Sequence, residues 1–65
     1  MIKITRLNGR EFFINPHQIE NIESTPDTVI SLISGTKYIV REDINTIISR
    51  IIEYRKKIGM FGNED

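Results

Sequence analysis

The residues whose side chains could perform catalysis are few in this sequence. His17 is the only histidine, and no cysteine is present, whereas a metal site needs three or four converging ligands. Two close pairs of acidic residues, Glu20 with Glu23 and Glu42 with Asp43, lie in a chain too short to bury a pocket that would shift their pKa values. No phosphate-binding glycine loop and no nucleophile elbow is present. We therefore expect no catalytic residue, no metal and no cofactor, in a protein that is not an enzyme.

A basic and aromatic surface is the second feature that could do chemistry, because aromatic rings stack on bases while cations contact phosphates. Phe12 and Tyr38 lie near Arg10 and Lys37 in the predicted sheet. Nine basic residues are balanced by nine acidic residues, however, and nucleic-acid binding usually requires an excess of positive charge. We therefore expect no nucleic-acid partner. The basic cluster within residues 50–57 complements the negative end of a helix dipole. That cluster could also contact acidic lipid or an acidic partner.

The N-terminal segment predicts a β-hairpin followed by a corner. Asn8-Gly9 is the preferred pair for a two-residue type I′ turn, because both positions need positive φ. Such a turn places Ile4 opposite Phe13. Asn15-Pro16 then predicts a single helical turn, since Asn is a good N-cap and Pro suits the first helical position. The chain returns from this corner as a third strand over residues 19–24.

A second hairpin follows Pro26-Asp27, which marks a turn. Two β-rich runs, at residues 28–33 and 36–41, flank Ser34-Gly35. A two-residue loop there places Ile30 opposite Ile39. The second hairpin therefore repeats the plan of the first.

An amphipathic helix completes the predicted fold. From Asp43 the apolar period changes from about 2 to about 3.6 residues, and Gly59 supplies a stop signal. Isoleucine is a mediocre helix former, so the helix must be stabilised by packing on the sheet. Its predicted apolar stripe consists of Ile44, Ile47, Ile48, Ile51, Ile52 and Ile58.

The fold class is therefore α+β: a small antiparallel sheet of four to five strands, built from two β-hairpins, with one C-terminal amphipathic helix on one face. Residues 1–59 are predicted as a single domain and residues 60–65 as a frayed tail. The core must be small and densely apolar at this length, and 14 of the 65 residues are isoleucine. The absence of cysteine fits a cytosolic compartment, and no apolar stretch approaches the length that spans a bilayer.

The predicted sheet carries more apolar surface than one helix can cover. Either the sheet curls into a half-barrel and covers itself, or its second face is an interface for another copy or a partner. The candidate interface residues are Leu7, Phe12, Ile14, Val29, Ile33, Tyr38 and Val40. The residues predicted to set the turns are Asn8, Gly9, Asn15, Pro16 and Gly35.

Taken in order, three segments resemble the FlbD/SwrD family of small bacterial flagellar and swarming-motility proteins: "IKITRLNGREFFINP", "IENIESTPDTVISLISGTKYIVRE" and the isoleucine-rich helix. The resemblance covers residues 1–58, and its most specific pieces are "RLNG", the Asn15-Pro16 corner, "PDT" and Gly35-x-Lys37-Tyr38. Ser34 stands where the family usually has Asn before that glycine.

The resemblance implies a cytoplasmic, non-enzymatic accessory protein that supports flagellar rotation or swarming. It would act by protein–protein interaction on the motor or stator near its inner face. It would form a homo-oligomer, bind a flagellar motor component, or do both, with peripheral association with the membrane-embedded motor as a further possibility. Two alternatives stay open from the residues alone: a small nucleic-acid-binding β-domain that regulates flagellar genes, and a ligand-binding or catalytic module.

Overall fold

Within the part of the chain that the structure describes, five short strands and one helix make up an α+β fold, as the sequence predicted. The computed structural model describes residues 1–59, so the predicted frayed tail at 60–65 lies outside the described residues. The elements are β1 (Ile2–Thr5), β2 (Glu11–Ile14), a 3₁₀ turn (Pro16–Gln18), β3 (Ile19–Glu23), β4 (Thr28–Leu32), β5 (Lys37–Val40) and α1 (Ile44–Gly59).

The loop of the first hairpin is one residue longer than predicted. The Arg6 N–H donates to the Arg10 carbonyl at 2.8 Å, and the Gly9 N–H donates to the Arg6 carbonyl at 2.8 Å. Gly9 has a φ of 92°, and none of the non-glycine residues described, Asn8 included, has positive φ. This is a type I turn closed by a glycine bulge, so the type I′ prediction is wrong. The Asn8 Oδ1 instead accepts the Arg10 N–H at 2.9 Å, which holds the longer loop.

The second hairpin has the same loop. The Leu32 N–H donates to the Thr36 carbonyl at 2.8 Å, and the Gly35 N–H donates to the Leu32 carbonyl at 2.9 Å. Gly35 takes a φ of 97° at the position that corresponds to Gly9. The predicted repetition of plan is therefore present, but with three-residue loops in both hairpins.

The extra loop residue changes which side chains face the core. Ile4 pairs with Phe12 rather than Phe13, and Ile30 pairs with Tyr38 rather than Ile39. Because a shift of one residue moves a strand's side chains to the other face, Phe12 and Tyr38 turn inward. Phe13 is 63% exposed and Ile39 is 46% exposed. The predicted pairings Ile4–Phe13 and Ile30–Ile39 are therefore corrected.

The strands form two antiparallel sheets, β1-β2 and β3-β4-β5, that meet at the ends of β1 and β5. The Arg41 N–H donates to the Thr5 carbonyl at 2.8 Å, and Arg6 and Val40 form a bridge. The resulting curled sheet encloses a core in which Ile4 and Ile30, from different sheets, are fully buried. Curling thus covers part of the apolar surface for which the sequence left two explanations.

The corner between β2 and β3 forms as predicted. The Asn15 Oδ1 accepts the His17 N–H at 2.9 Å, and Pro16 begins the 3₁₀ turn with its ring buried. Pro suits this position because its missing N–H has no partner to lose there.

The helix begins at Ile44, and the Asp43 Oδ1 caps it by accepting the Thr46 N–H at 2.8 Å. Ile47 is fully buried in the core, with Ile51 and Tyr54 packed against it. The predicted stripe was too wide, because Ile48 and Ile52 are 43% and 48% exposed.

Candidate functional site

Four of the seven residues predicted as an interface face the core instead. Ile14 and Val40 are buried, at 5% and 4% exposure. Phe12 and Tyr38 are half-buried against the core, with ring centroids 4.8 Å apart. Since Phe12 belongs to the first sheet and Tyr38 to the second, this aromatic pair joins the two sheets. The Arg6 guanidinium lies 5.5 Å from the centre of the Tyr38 ring, a distance suited to a cation–π contact.

The other three predicted residues, Leu7, Val29 and Ile33, lie away from the core. The Leu7 N–H donates to the Ile39 carbonyl at 3.3 Å, and Ile39 pairs with Val29 across β5 and β4. Leu7, Ile39 and Val29 therefore form a line that runs from the loop of the first hairpin across β5 and β4, which we call the outer row. Leu7 is 53% exposed, Ile39 is 46% exposed and Val29 is half-buried. Ile33, 64% exposed, stands apart at the tip of the second hairpin.

An ion pair completes the free edge of β1. Glu42 accepts the Thr5 N–H, with both carboxylate oxygens 3.0 Å from the nitrogen. Arg50 binds the same carboxylate at 2.9 Å and also donates to the Lys3 carbonyl. Because β5 leaves β1 after Arg41, these two side chains take the hydrogen bonds that a neighbouring strand would otherwise make.

The surroundings of Glu42 set its charge state. Its side chain is only 9% exposed, and burial by itself raises the pKa of a carboxyl group. The Thr5 N–H and the Arg50 guanidinium favour the ionised form and outweigh burial, so the pKa of Glu42 lies below its ordinary value. The pKa of Asp43 is also lowered, because Thr46 donates to its carboxylate at the start of α1.

An open groove of about 570 Å³ lies beside this ion pair, between the start of β1 and α1. Among the described residues, its lining has three cationic side chains, one carboxylate, three hydroxyl groups and several apolar side chains. The Lys3 cation also pairs with Glu11 outside the groove, at 3.8 Å. Its lining consists of Met1, Ile2, Lys3, Thr46, Ser49, Arg50, Glu53, Tyr54 and Lys57.

The residues that were weighed as catalytic or metal-binding do not come together. His17 is exposed, and its ring forms a T-shaped pair with the ring of Tyr54, with a centroid separation of 6.0 Å. Glu20 and Glu23 are exposed on β3. Within residues 1–59, no group of three histidine or acidic side chains is placed to hold a metal ion.

Two residues of this region have roles that the sequence did not reveal. Arg50 belongs to the basic cluster of residues 50–57 that the sequence relates to the helix dipole, yet it binds Glu42 and β1. The distance along the chain between Thr5 and Glu42 leaves no local pattern that would show this contact. Tyr54 was not assigned to the packed face, although it continues the spacing of Ile47 and Ile51, which was a usable signal.

These features define a small α+β domain that presents an apolar outer row and, beside the Glu42–Arg50 pair, an open polar groove. The chain belongs to the FlbD family of flagellar and swarming motility proteins, whose family model matches residues 1–59. This confirms the family resemblance seen in the sequence. No curated protein and no solved structure gives a significant match. Within the described residues, α1 is neither long nor apolar enough to cross a membrane.

Proposed function

We propose that this chain is a non-enzymatic accessory protein of flagellar or swarming motility that acts by binding another protein. The observation that carries the proposal is the outer row, because Leu7 and Ile39 stay about half exposed while the core is already closed by the curled sheet and α1. Family membership supplies the motility context. The proposal includes a component of the flagellar motor or stator, or a second copy of the chain, as the partner on the cytoplasmic side.

The size of the outer row favours a modest contribution to a larger contact. Full burial of a leucine or isoleucine side chain contributes about 1.5–3 kcal/mol. Leu7 and Ile39 are about half exposed, so covering both would contribute on the order of 2 kcal/mol. That energy is too small for a stable complex by itself, so we propose that the row anchors a wider and reversible interface.

The test is a pair of matched double variants. Leu7→Lys with Ile39→Lys places two cations in the outer row, and we expect a folded protein that no longer supports swarming. Ile48→Lys with Ile52→Lys changes two helix residues of similar exposure and should leave swarming unchanged. Swarm expansion and thermal unfolding are measured for both. Normal swarming by the folded outer-row variant would refute the proposal.

A further inference from the structure

On the free edge of β1, the hydrogen bonds of the described residues reach the Lys3 carbonyl but not the Lys3 N–H. The Arg6 N–H points toward β2, so the backbone groups of Thr5 and Lys3 point to the opposite edge, because direction alternates along a strand. On that edge the Thr5 N–H is bound by Glu42, and the Lys3 carbonyl is bound by Arg50. Within residues 1–59, no acceptor binds the next donor, the Lys3 N–H.

The Lys3 N–H lies where the groove opens, since Lys3 and Arg50 both line it. The spacing between successive donors on one edge is about 7 Å, so an acceptor on Lys3 would sit on the far side of the Arg50 guanidinium from Glu42. Lys57 adds a second cation on the helix side, and Glu53 is the single carboxylate among the described residues of the lining. Lys3 and Arg50 are already paired, with Glu11 at 3.8 Å and with Glu42 at 2.9 Å. The groove therefore combines an open backbone donor with the remaining donors of Arg50 and the Lys57 cation.

We propose that this groove binds an acidic side chain, Asp or Glu, presented by a partner protein. The incoming carboxylate accepts the Lys3 N–H and contacts Arg50, and Lys57 adds a charge contact at the rim. The inference rests on the proposed function in that it supplies a second contact for the same kind of partner.

The contacts of Glu42 indicate that a carboxylate suits this edge of β1. Glu42 already shows how a carboxylate fits this edge, with one backbone N–H and one Arg50 nitrogen as its donors. Guanidinium groups have five donors in a fixed fork, so Arg50 has donors left for a second carboxylate. A side chain from a partner would repeat the arrangement one position further along β1.

The experiment titrates the purified protein with a capped Gly-Glu-Gly-Glu-Gly peptide and follows backbone amide shifts by NMR. We expect the Lys3 amide signal to move, while the corresponding peptide with Gln in place of Glu leaves it unchanged. Inorganic phosphate at the same concentration is the third probe. An immobile Lys3 signal, or an equal response to the Gln peptide or to phosphate, would overturn the proposal.

Two neighbouring lysines provide matched variants. Lys57→Gln removes a cation from the groove, whereas Lys56→Gln removes one of the same helix turn that does not line it. Both are exposed, so neither change should affect folding. We expect Lys57→Gln to weaken peptide binding about two- to fivefold, the range of one exposed ion pair, and Lys56→Gln to have no effect. Equal losses would show general charge attraction and contradict a defined site.

The peptide titration tests the groove and the swarming assay tests the proposed function, so the two proposals can be refuted independently. Loss of swarming in the outer-row variant without any peptide binding would overturn the groove and leave the proposed function standing. Peptide binding at Lys3, together with normal swarming of every folded variant, would support the groove and overturn the proposed function.

Discussion

The Glu42→Gln variant tests whether the ion pair at the edge of β1 stabilises the fold. Glutamine has nearly the same shape and can still accept the Thr5 N–H with its carbonyl oxygen, but it cannot pair with the Arg50 charge. The change therefore isolates the electrostatic part of the contacts at 2.9 Å and 3.0 Å.

The expected loss is about 2 kcal/mol. Hydrogen bonds that involve a charged group contribute about 1.5–3 kcal/mol each, and breaking one partner of a buried ion pair costs about 3–5 kcal/mol. The Glu42 side chain is 9% exposed but that of Arg50 is 37% exposed. Solvent screening of Arg50 therefore brings the expected loss of stability to the lower of these two ranges. A domain of this size has a stability of roughly 3–10 kcal/mol. At about 4–8 °C per kcal/mol, the melting temperature should fall by roughly 8–16 °C.

Thermal and urea unfolding measure the effect, with Glu20→Gln as the control because Glu20 is exposed on β3. The control should unfold as the original protein does. The same melting temperature for both variants would refute the idea that this ion pair replaces a missing strand.

The pH dependence of stability gives the same prediction a second readout. The pKa of Glu42 is lower in the folded protein than in the unfolded chain, so its stabilisation is present above the unfolded pKa, about 4.3. It is lost as pH falls from there through the folded pKa, because the unfolded state then binds more protons. Asp43 contributes in the same direction. The curve of stability against pH should therefore be less steep in acid for Glu42→Gln than for Glu20→Gln.

Three further predictions concern the turns, the core and the surface charge. Gly9→Val should destabilise the protein by about 1–3 kcal/mol because Gly9 has a φ of 92°. Gly9→Ala should show most of this loss, because a Cβ there would meet Arg41 at an ordinary contact distance of 3.6 Å and the strain therefore lies in the backbone. An unchanged urea midpoint would contradict the turn geometry. Phe12→Glu should destabilise the domain, since the half-buried ring packs on the core and on Tyr38 and a carboxylate there would be partly buried without a partner, while Phe13→Glu should be tolerated. A thermal unfolding curve that Phe12→Glu leaves unchanged would argue against the observed register. Binding to mixed DNA should be weak, because positive and negative residues balance at nine each, and a steep dependence of affinity on salt would favour the nucleic-acid alternative.

Local signals in the sequence were sufficient for the elements and their order. The change of apolar period predicted α1, and Asn15-Pro16 predicted the 3₁₀ corner, because each depends on residues close together in the chain. The length of the hairpin loops was harder to predict, since Asn8-Gly9 fits either the centre of a two-residue turn or the end of a three-residue loop. The two possibilities differ by one residue, and only packing of the whole sheet selects between them.

The one extra residue in each hairpin loop determines which side chains the sheet exposes. With two-residue turns, Phe12 and Tyr38 would have lain together on a face away from Ile4 and Ile30. With the observed loops they join the two sheets, and Ile39 takes their place outside, next to Leu7. Of the predicted uncovered face, only the outer row and Ile33 lie outside the core. One residue of the outer row, Ile39, was predicted on the opposite face, with Ile30. The Glu42–Arg50 pair could not be predicted in this way, because it depends on where β5 leaves β1.

The two halves of the candidate surface follow from one constraint, the short length of β5. Because β5 ends at Val40 and the chain turns into α1 at Ile44, β1 is paired with it only at its far end. There, the neighbouring strands bring Leu7 and Ile39 together in the outer row. Toward the start of β1 the missing strand is replaced by Glu42 and Arg50, and the groove opens where that replacement stops. A longer β5 would pair the Lys3 N–H and close the groove, so the outer row and the groove both depend on the position at which β5 gives way to the helix.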